Sequence, residues 1–484
     1  MGVLEGLKPE KVFHFFEEIC SIPHGSGNTG AIAGYCKDFA DKRGLYCVKD
    51  DYNNVLIKKN ASKGREKCEP LMLQGHLDMV CEKNFDSDPR FDFSKDPLRL
   101  SVMDDYIYAK GTTLGGDDGI AVAYMLAILD DDKISHPALE CLFTSDEETG
   151  MIGMTNFDAS SIKATRMINI DNEREGEILV SSAGGRKVKC HIPVRYISGS
   201  GLSYDIIICG LLGGHSGSEI DKYRGNANLL MGRLLHYLSS RVKYELYYLK
   251  GGLQDNAIPR EAKASVIIDP KDAAVFEDAI TGFEMTVINE YRGIENNITI
   301  YCEAGETVNE RVLSDKTKER VIFLLMTIPD GITKMCPESA NIVQTSSNAG
   351  IMRLRDDYFS LIISIRSSIS SEKEALSDKI RYLTETIGGE YIIESDYPAW
   401  EYSENSGLRD MVVKVYKELF GRDPHVTSIH AGLECGIIFD KVKGMDIVSI
   451  GPDIDDIHTP KEKLSISSTE RTWRLLLRIM EMCE

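Results

Sequence analysis

The stretch Leu71-Met72-Leu73-Gln74-Gly75-His76-Leu77-Asp78-Met79-Val80 decides how the chain is read. An apolar run opens it, Gly75 interrupts the run, and an imidazole and a carboxylate follow with one residue between them. Alternate side chains of an extended segment share a face, so His76 and Asp78 point the same way. A neutral imidazole nitrogen can ligate zinc, and a carboxylate held against the other ring nitrogen fixes the tautomer and strengthens the donor. An isolated His-x-Asp triplet carries little meaning, so the neighbouring segments must decide.

Outward from this strand lies Gly111-Thr112-Thr113-Leu114-Gly115-Gly116-Asp117-Asp118-Gly119, followed by the strongly apolar Ile120 to Leu129. Glycines free the backbone to set Asp117 at the mouth of a helix, where an ordinary N-cap aspartate would look the same. Ala138 to Thr144 reads as a strand and ends in Ser145-Asp146-Glu147-Glu148-Thr149-Gly150. Three acids directly after a buried strand are poorly explained as a solvated helix face. They suit a pair in which one carboxylate ligates a metal and its neighbour serves a bound water as general base. The strand Met167 to Ile170 then delivers Asp171. Ligands of open α/β sheets bind outside the carboxyl ends of the strands, and several acids and His76 lie at such ends.

Upstream, Pro9 to Ile19 and Thr29 to Arg43 have helical spacing on either side of the turn-rich Ser21 to Asn28, and Tyr46 to Val48 and Asn54 to Ile57 read as strands. Alternating strands and helices predict an α/β fold: a mixed sheet flanked by helices, with an inserted α+β domain. The insert begins after Ser181-Ser182-Ala183-Gly184-Gly185. Its expected strands include Asp205 to Cys209, Val266 to Asp269, Asn297 to Cys302 and Leu361 to Arg366. Expected helices are Asn226 to Val242, Ala273 to Tyr291, Leu313 to Ile328 and Ser371 to Thr386. After Trp400 the chain returns to the first domain with the amphipathic Leu408 to Phe420, the strand Asp446 to Ile450, a loop carrying His458 and a last helix, Ser468 to Met482. The expected domains are residues 1–184 and 399–484 together, with 185–398 inserted.

Within the insert, Gly213-Gly214-His215-Ser216-Gly217 presents a histidine on a glycine-rich turn and Asn256-Ala257-Ile258-Pro259-Arg260 is a proline-fixed polar turn; ordinary turn chemistry explains either one alone. Arg366 closes a predicted strand, where a guanidinium clamps a substrate carboxylate or makes a structural salt bridge.

A chain of 484 residues exceeds what one hydrophobic core usually supports, and 42% apolar content fills two. The formal charge of −20 excludes the basic stripe that a nucleic-acid surface needs. No run of about 18 apolar residues predicts a membrane span, and Met1 to Lys8 lacks the features of a signal peptide, so a cytoplasmic address is expected. The twelve cysteines are scattered singly, as buried thiols in a reducing compartment would be.

Taken together, the motifs Gly75-His76-Leu77-Asp78, Gly111 to Gly115, Asp146 to Gly150, Gly213 to Gly217, Asn256 to Arg260 and His430-Ala431-Gly432-Leu433-Glu434-Cys435-Gly436 resemble those of the co-catalytic zinc exopeptidases, the family of aminoacylases and carboxypeptidase-G-like enzymes. Within it they are most similar to the bacterial cytosolic aminoacyl-histidine (Xaa-His) dipeptidase subgroup. The resemblance implies two zinc ions per subunit, one held by His76 and Asp171, the other by Glu148 and His458, with Asp117 bridging. It makes Asp78 the residue that orients His76 and Glu147 the general base for a metal-activated water. It places His215, Asn256, Arg366 and Gly432 against a short peptide substrate, and the inserted domain as a lid and homodimer interface in which His215 can serve the partner's site.

Gly116, Asp118 and Thr459 depart from the subgroup, where Ala, Asn and Ser are usual. Asp118 offers a second carboxylate for the bridging role, which motif position assigns to Asp117. Cobalt or manganese would accept the same ligands as zinc. An N-acyl-amino-acid deacylase or a tripeptidase of the same family is the alternative activity. Gly214 to Ser218 misses the last glycine of a Gly-x-Ser-x-Gly elbow, and nothing in an acidic neighbourhood depresses the Cys435 thiol, so serine and cysteine nucleophiles are poor rivals.

Overall fold

The computed structural model describes residues 2–337 and 342–483. Leu71–His76 is a strand with all six residues buried, running parallel to Leu139–Thr144 on one side and to Arg166–Asn169 on the other. Strands covered on both faces read as continuous apolar runs, which is why these three stand out in the sequence. They form the centre of an eight-stranded mixed sheet in the order Tyr46–Lys49, Val55–Lys59, Leu139–Thr144, Leu71–His76, Arg166–Asn169, Asp446–Ser449, Glu177–Ser182, His425–Ile429.

Gly116–Leu129 packs on this sheet and against the helix Glu10–Cys20. Every residue of Gly116–Leu129 is buried except Asp117. A helix apolar on all sides belongs in a core, and its one break in burial marks the end that meets the site. Gly407–Phe420 and Ile466–Met482 pack together in the same unit, with one broad apolar core. A small sheet, ordered Ile454–Asp455, Lys463–Ser465, Tyr106–Ala109, Leu100–Met103, joins the segment before Asp117 to the one around His458.

The chain divides into two units, one comprising Met1–Ser181, Tyr402–Ser428 and Leu433–Glu484, the other Ser182–Glu401 and Ile429–Gly432. The second is an antiparallel sheet ordered Thr299–Leu313, Tyr196–Cys209, Ala262–Ile268, Tyr244–Gly251, Val343–Leu354, Tyr358–Ser367, Gly184–Pro193, Glu390–Tyr397, with Gly331–Met335 beside Val343–Leu354. The helices Ala227–Ser239, Ala273–Glu290, Asp315–Thr327 and Ser370–Thr386 accompany it, around a separate core. Its outer pair of strands is longer than the sequence suggests: Tyr196–Cys209 and Thr299–Leu313, distant in the chain, pair along almost their whole length. No helix among the described residues is long and apolar enough to cross a membrane.

Candidate active site

At the carboxyl end of Leu71–His76 the buried His76 ring lies in the first unit among acids. Its Nε2 is 3.1 Å from Asp117 Oδ1 and 3.6 Å from Asp171 Oδ1. Its Nδ1 is 2.9 Å from the Asp78 carbonyl oxygen and 3.5 Å from Asp78 Oδ1. On the other side of Asp117, His458 Nε2 lies 3.3 Å from Asp117 Oδ2 and 2.9 Å from Glu148 Oε1. Two triads therefore have ligand atoms close enough to hold an ion: His76 with Asp117 and Asp171, and Asp117 with Glu148 and His458. Asp117 belongs to both, one oxygen toward each histidine. His76, Glu147 and Glu148 form a third such group, which puts Glu147 beside both triads.

Asp117 and Asp118 both have non-helical dihedrals although they open the helix, and their side chains diverge. Asp117 faces the two imidazoles, whereas Asp118 is buried and accepts the His76 backbone N–H at 3.1 Å. The three acids after Leu139–Thr144 also diverge. Asp146, at φ +53°, accepts from Gly27 N–H at 2.6 Å, leaving Glu147 and Glu148 to the cluster.

Asp78 is buried and accepts from Ser26 Oγ at 2.8 Å and from the backbone N–H groups of Glu147 at 2.9 Å and Glu148 at 3.3 Å. One carboxylate so fixes the imidazole and the loop carrying the next two acids. Ser26, in what reads only as a turn, has no sequence signature for this work.

Carboxylates outnumber bases here. Burial and the charges of Asp171, Glu434 and Glu148 push Glu147 well above the ordinary carboxyl range. Burial with Asp117 and Glu148 pushes Asp171 up to about 6, and burial with Asp117 and Asp171 pushes Glu173 up to about 7. Asp117 moves down despite burial, through its hydrogen bonds with His458 and His76. Hydrogen bonds to Asp117 and Glu148 raise His458 to about 11, and those to Asp117, Asp171 and Asp78 raise His76 against the opposing effect of burial. Ionised carboxylates crowded out of water are costly without compensating cations, and this mixture of imidazole and carboxylate donors suits zinc and its neighbours.

The remaining sequence-derived candidates lie in the second unit. Gly214–His215 pairs with Ala257–Ile258, placing His215 opposite Ala257. The exposed Asn256 accepts Ser216 N–H on its backbone oxygen at 2.8 Å. Backbone N–H groups of Ser218 and Gly217 reach His215 Nδ1 at 3.0 and 3.3 Å. Burial and Arg366 lower the His215 pKa, so the ring is neutral, and with Nδ1 accepting, its proton sits on Nε2 as a free donor. Arg366 is only 9% exposed, yet among the described residues its guanidinium contacts only the Tyr397 hydroxyl, at 3.2 Å, and its Nε has no partner. Gly432 abuts the Tyr397 ring, where a Cβ would sit 2.6 Å from a ring carbon. His430, absent from the sequence-derived set, lies 2.7 Å from Ser346 Oγ, and burial with Arg366 lowers it to about 3.

Residues 72–482 match the model of peptidase family M20/M25/M40. The chain belongs to that family. It is 34% identical over 99% of both chains to the cytosol non-specific dipeptidase of Escherichia coli (strain K12). The structure superposes on aminoacylhistidine dipeptidase from Vibrio alginolyticus with a TM-score of 0.90 at 33% identity, covering 99% of this chain and 98% of that one. Aminopeptidase PepT from Bacillus cereus ATCC 10987 shares the fold, at TM-score 0.56 and 17% identity over 98% of each chain. The chain is thus a hydrolase of the M20/M25/M40 peptidases, a family that uses divalent metal, and among the described residues the three groups above are those that could hold an ion.

Two buried acids close to these groups, Glu434 and Glu462, escape the sequence reading. Glu434, in a motif valued only for Gly432, accepts from Gln74 Nε2 at 2.6 Å and Thr144 Oγ1 at 2.5 Å, just beneath the strand ends. Burial and the charges of Asp171 and Asp78 raise it to about 8. Glu462 stands four residues after His458, a proximity that is its one sequence signal.

Proposed function

We propose that the chain is a dinuclear metallodipeptidase of the cytosol, cleaving Xaa-His and other dipeptides, with two zinc ions as its metal and the inserted domain as a lid and homodimer interface. The observation that carries this reading is Asp117, which shares its two oxygens between two ligand triads with Glu147 adjoining both. His76 and Asp171 would hold one ion, Glu148 and His458 the other, with Asp117 available to both. The names of the Escherichia coli and Vibrio alginolyticus relatives support dipeptides as the substrate class.

Divalent ions held by these residues would supply Lewis acidity, lowering the pKa of a bound water from 15.7 toward roughly 7 and polarising the scissile carbonyl. Glu147 takes the proton of that water as it attacks and returns it to the leaving amine. Burial and the neighbouring carboxylates raise its affinity for a proton, so that the ionised carboxylate is the stronger base. His215 donates from Nε2 to the carbonyl oxygen as negative charge develops there. Arg366, a buried cation with no acidic partner among the described residues, binds the substrate carboxylate, and Asn256 and Gly432 help position the peptide.

Glu147→Ala tests the assignment. Metal analysis should still find two ions, while kcat on a dipeptide falls by about 10²–10⁴-fold. Full turnover in that variant would refute the base. A panel of Xaa-His, carnosine and other dipeptides beside N-acetyl amino acids and tripeptides tests the substrate class; preference for either of the last two would replace dipeptidase by deacylase or tripeptidase.

A further inference from the structure

Glu462 is 3% exposed, and its carboxylate accepts four successive backbone N–H groups from across the chain: Leu114 at 2.7 Å and Gly115 at 3.1 Å on Oε2, Gly116 at 2.8 Å and Asp117 at 3.3 Å on Oε1. The loop wraps the carboxylate closely. Gly115 takes φ +67°, and a Cβ on Gly116 would lie 3.3 Å from Oε1. The last of the four donors is the residue whose side chain is shared by both triads. Glu462 also belongs to the His458 turn, its own N–H bonded to Thr459 O at 3.0 Å, and Lys463 beyond it enters the small sheet opposite Tyr108. One buried side chain therefore pins the Asp117 loop to the turn that delivers His458, and Asp117 Oδ2 and His458 Nε2 meet 3.3 Å apart.

We propose that Glu462 is a positioning residue for the second metal, acting through the backbone of Leu114 to Asp117 to hold the shared carboxylate in register with His458. This rests on the dinuclear reading above. No neutral side chain of the same size can replace it, because a Gln would turn an NH₂ group toward N–H donors and leave at least one of them buried without an acceptor. Asp keeps the charge but stops one methylene short of the loop.

The test is zinc titration into chelator-treated protein, with a metal-competing dye as readout, for wild type, E462D and E462Q, alongside steady-state kinetics. Wild type should take two ions. E462Q should keep the tighter one and bind the other at least tenfold more weakly, with kcat reduced at least 30-fold and KM within threefold, and E462D should fall between. If E462Q does not fold, E462D carries the same measurement. Two ions bound with wild-type affinity in either folded variant, with only the melting temperature lowered, would overturn the proposal and leave Glu462 a purely structural anchor. Asp117→Asn separates the two readings: if that variant also binds two ions normally, the dinuclear assignment itself fails.

Discussion

Asp78 touches none of the oxygens around His458, yet it holds more of the site together than any ligand candidate does. It accepts from Ser26 and from the backbones of Glu147 and Glu148, and it lies against the His76 ring. Asp78→Asn keeps the volume but presents an NH₂ group to one of those donors. We expect metal affinity to fall about 10–100-fold, the usual consequence of losing a partner that orients a metal-binding histidine. Chelator competition measures it. Unchanged affinity would mean that the Asp78 carbonyl oxygen, 2.9 Å from Nδ1, orients the ring unaided. At this scale His76, Asp117, Glu147, Glu148, Asp171 and His458 are legible in the sequence because chemistry-bearing residue types stand where strands stop or helices begin. Residue type alone does not say which of Asp117 and Asp118 faces the imidazoles, since neighbours differ only in dihedrals; position in the motif is what selects Asp117. Ser26 and Glu462 are hidden for another reason: a hydroxyl donating to a buried carboxylate, or a carboxylate accepting backbone N–H groups, leaves no pattern among side-chain types.

The elements deliver these residues through the parallel strands at the sheet's centre. Arg166–Asn169 and Asp446–Ser449 lie side by side, and the chain beyond each continues toward Asp171 and toward His458. They stay close past their ends: a Cβ on Gly451 would lie 1.6 Å from the Asn172 carbonyl oxygen. Gly451→Ala must therefore push one backbone away from another, not merely shift a side chain. We expect it to destabilise by about 3 kcal/mol, the upper end of the usual range for overpacking, and to weaken zinc binding as well, read by urea unfolding of the metal-free protein and by zinc titration. Wild-type stability would show that the two loops separate freely. The central strands are readable because burial on both faces makes them uniformly apolar. The outer strand pair of the second unit is not. From Glu303 to Arg311 the residues are mostly exposed and polar, with Gly305 among them and Gly199 and Gly201 on the partner strand, so only the pairing makes the segment a strand.

At the scale of the whole molecule, the two units have separate apolar cores, and the first is assembled from three stretches of chain interrupted by the second. The sequence pattern changes near Ser181 and returns after Trp400, whereas the short passage Ile429–Gly432 through the second unit has no periodicity to mark it. All the metal-ligand candidates belong to the first unit, and they come from both its first and its last stretch: His76, Asp117, Glu148 and Asp171 before the insertion, His458 after it. Ions held there would tie the ends of the chain together and offset the crowded carboxylates. A ligand bound only by the folded form at 1,000 times its Kd adds about 4 kcal/mol, which in a fully protected amide is about a 10³-fold slowing of exchange. Hydrogen exchange on chelator-treated and zinc-loaded protein should show this gain in Leu71–His76, Leu139–Thr144 and Gly116–Leu129. Gly184–Pro193 and Tyr358–Ser367, built on the other core, should change by less than threefold. Equal slowing in both sets would mean that the two units unfold as one cooperative body, and no slowing in the first set would mean that the ions do not bind where the acids converge.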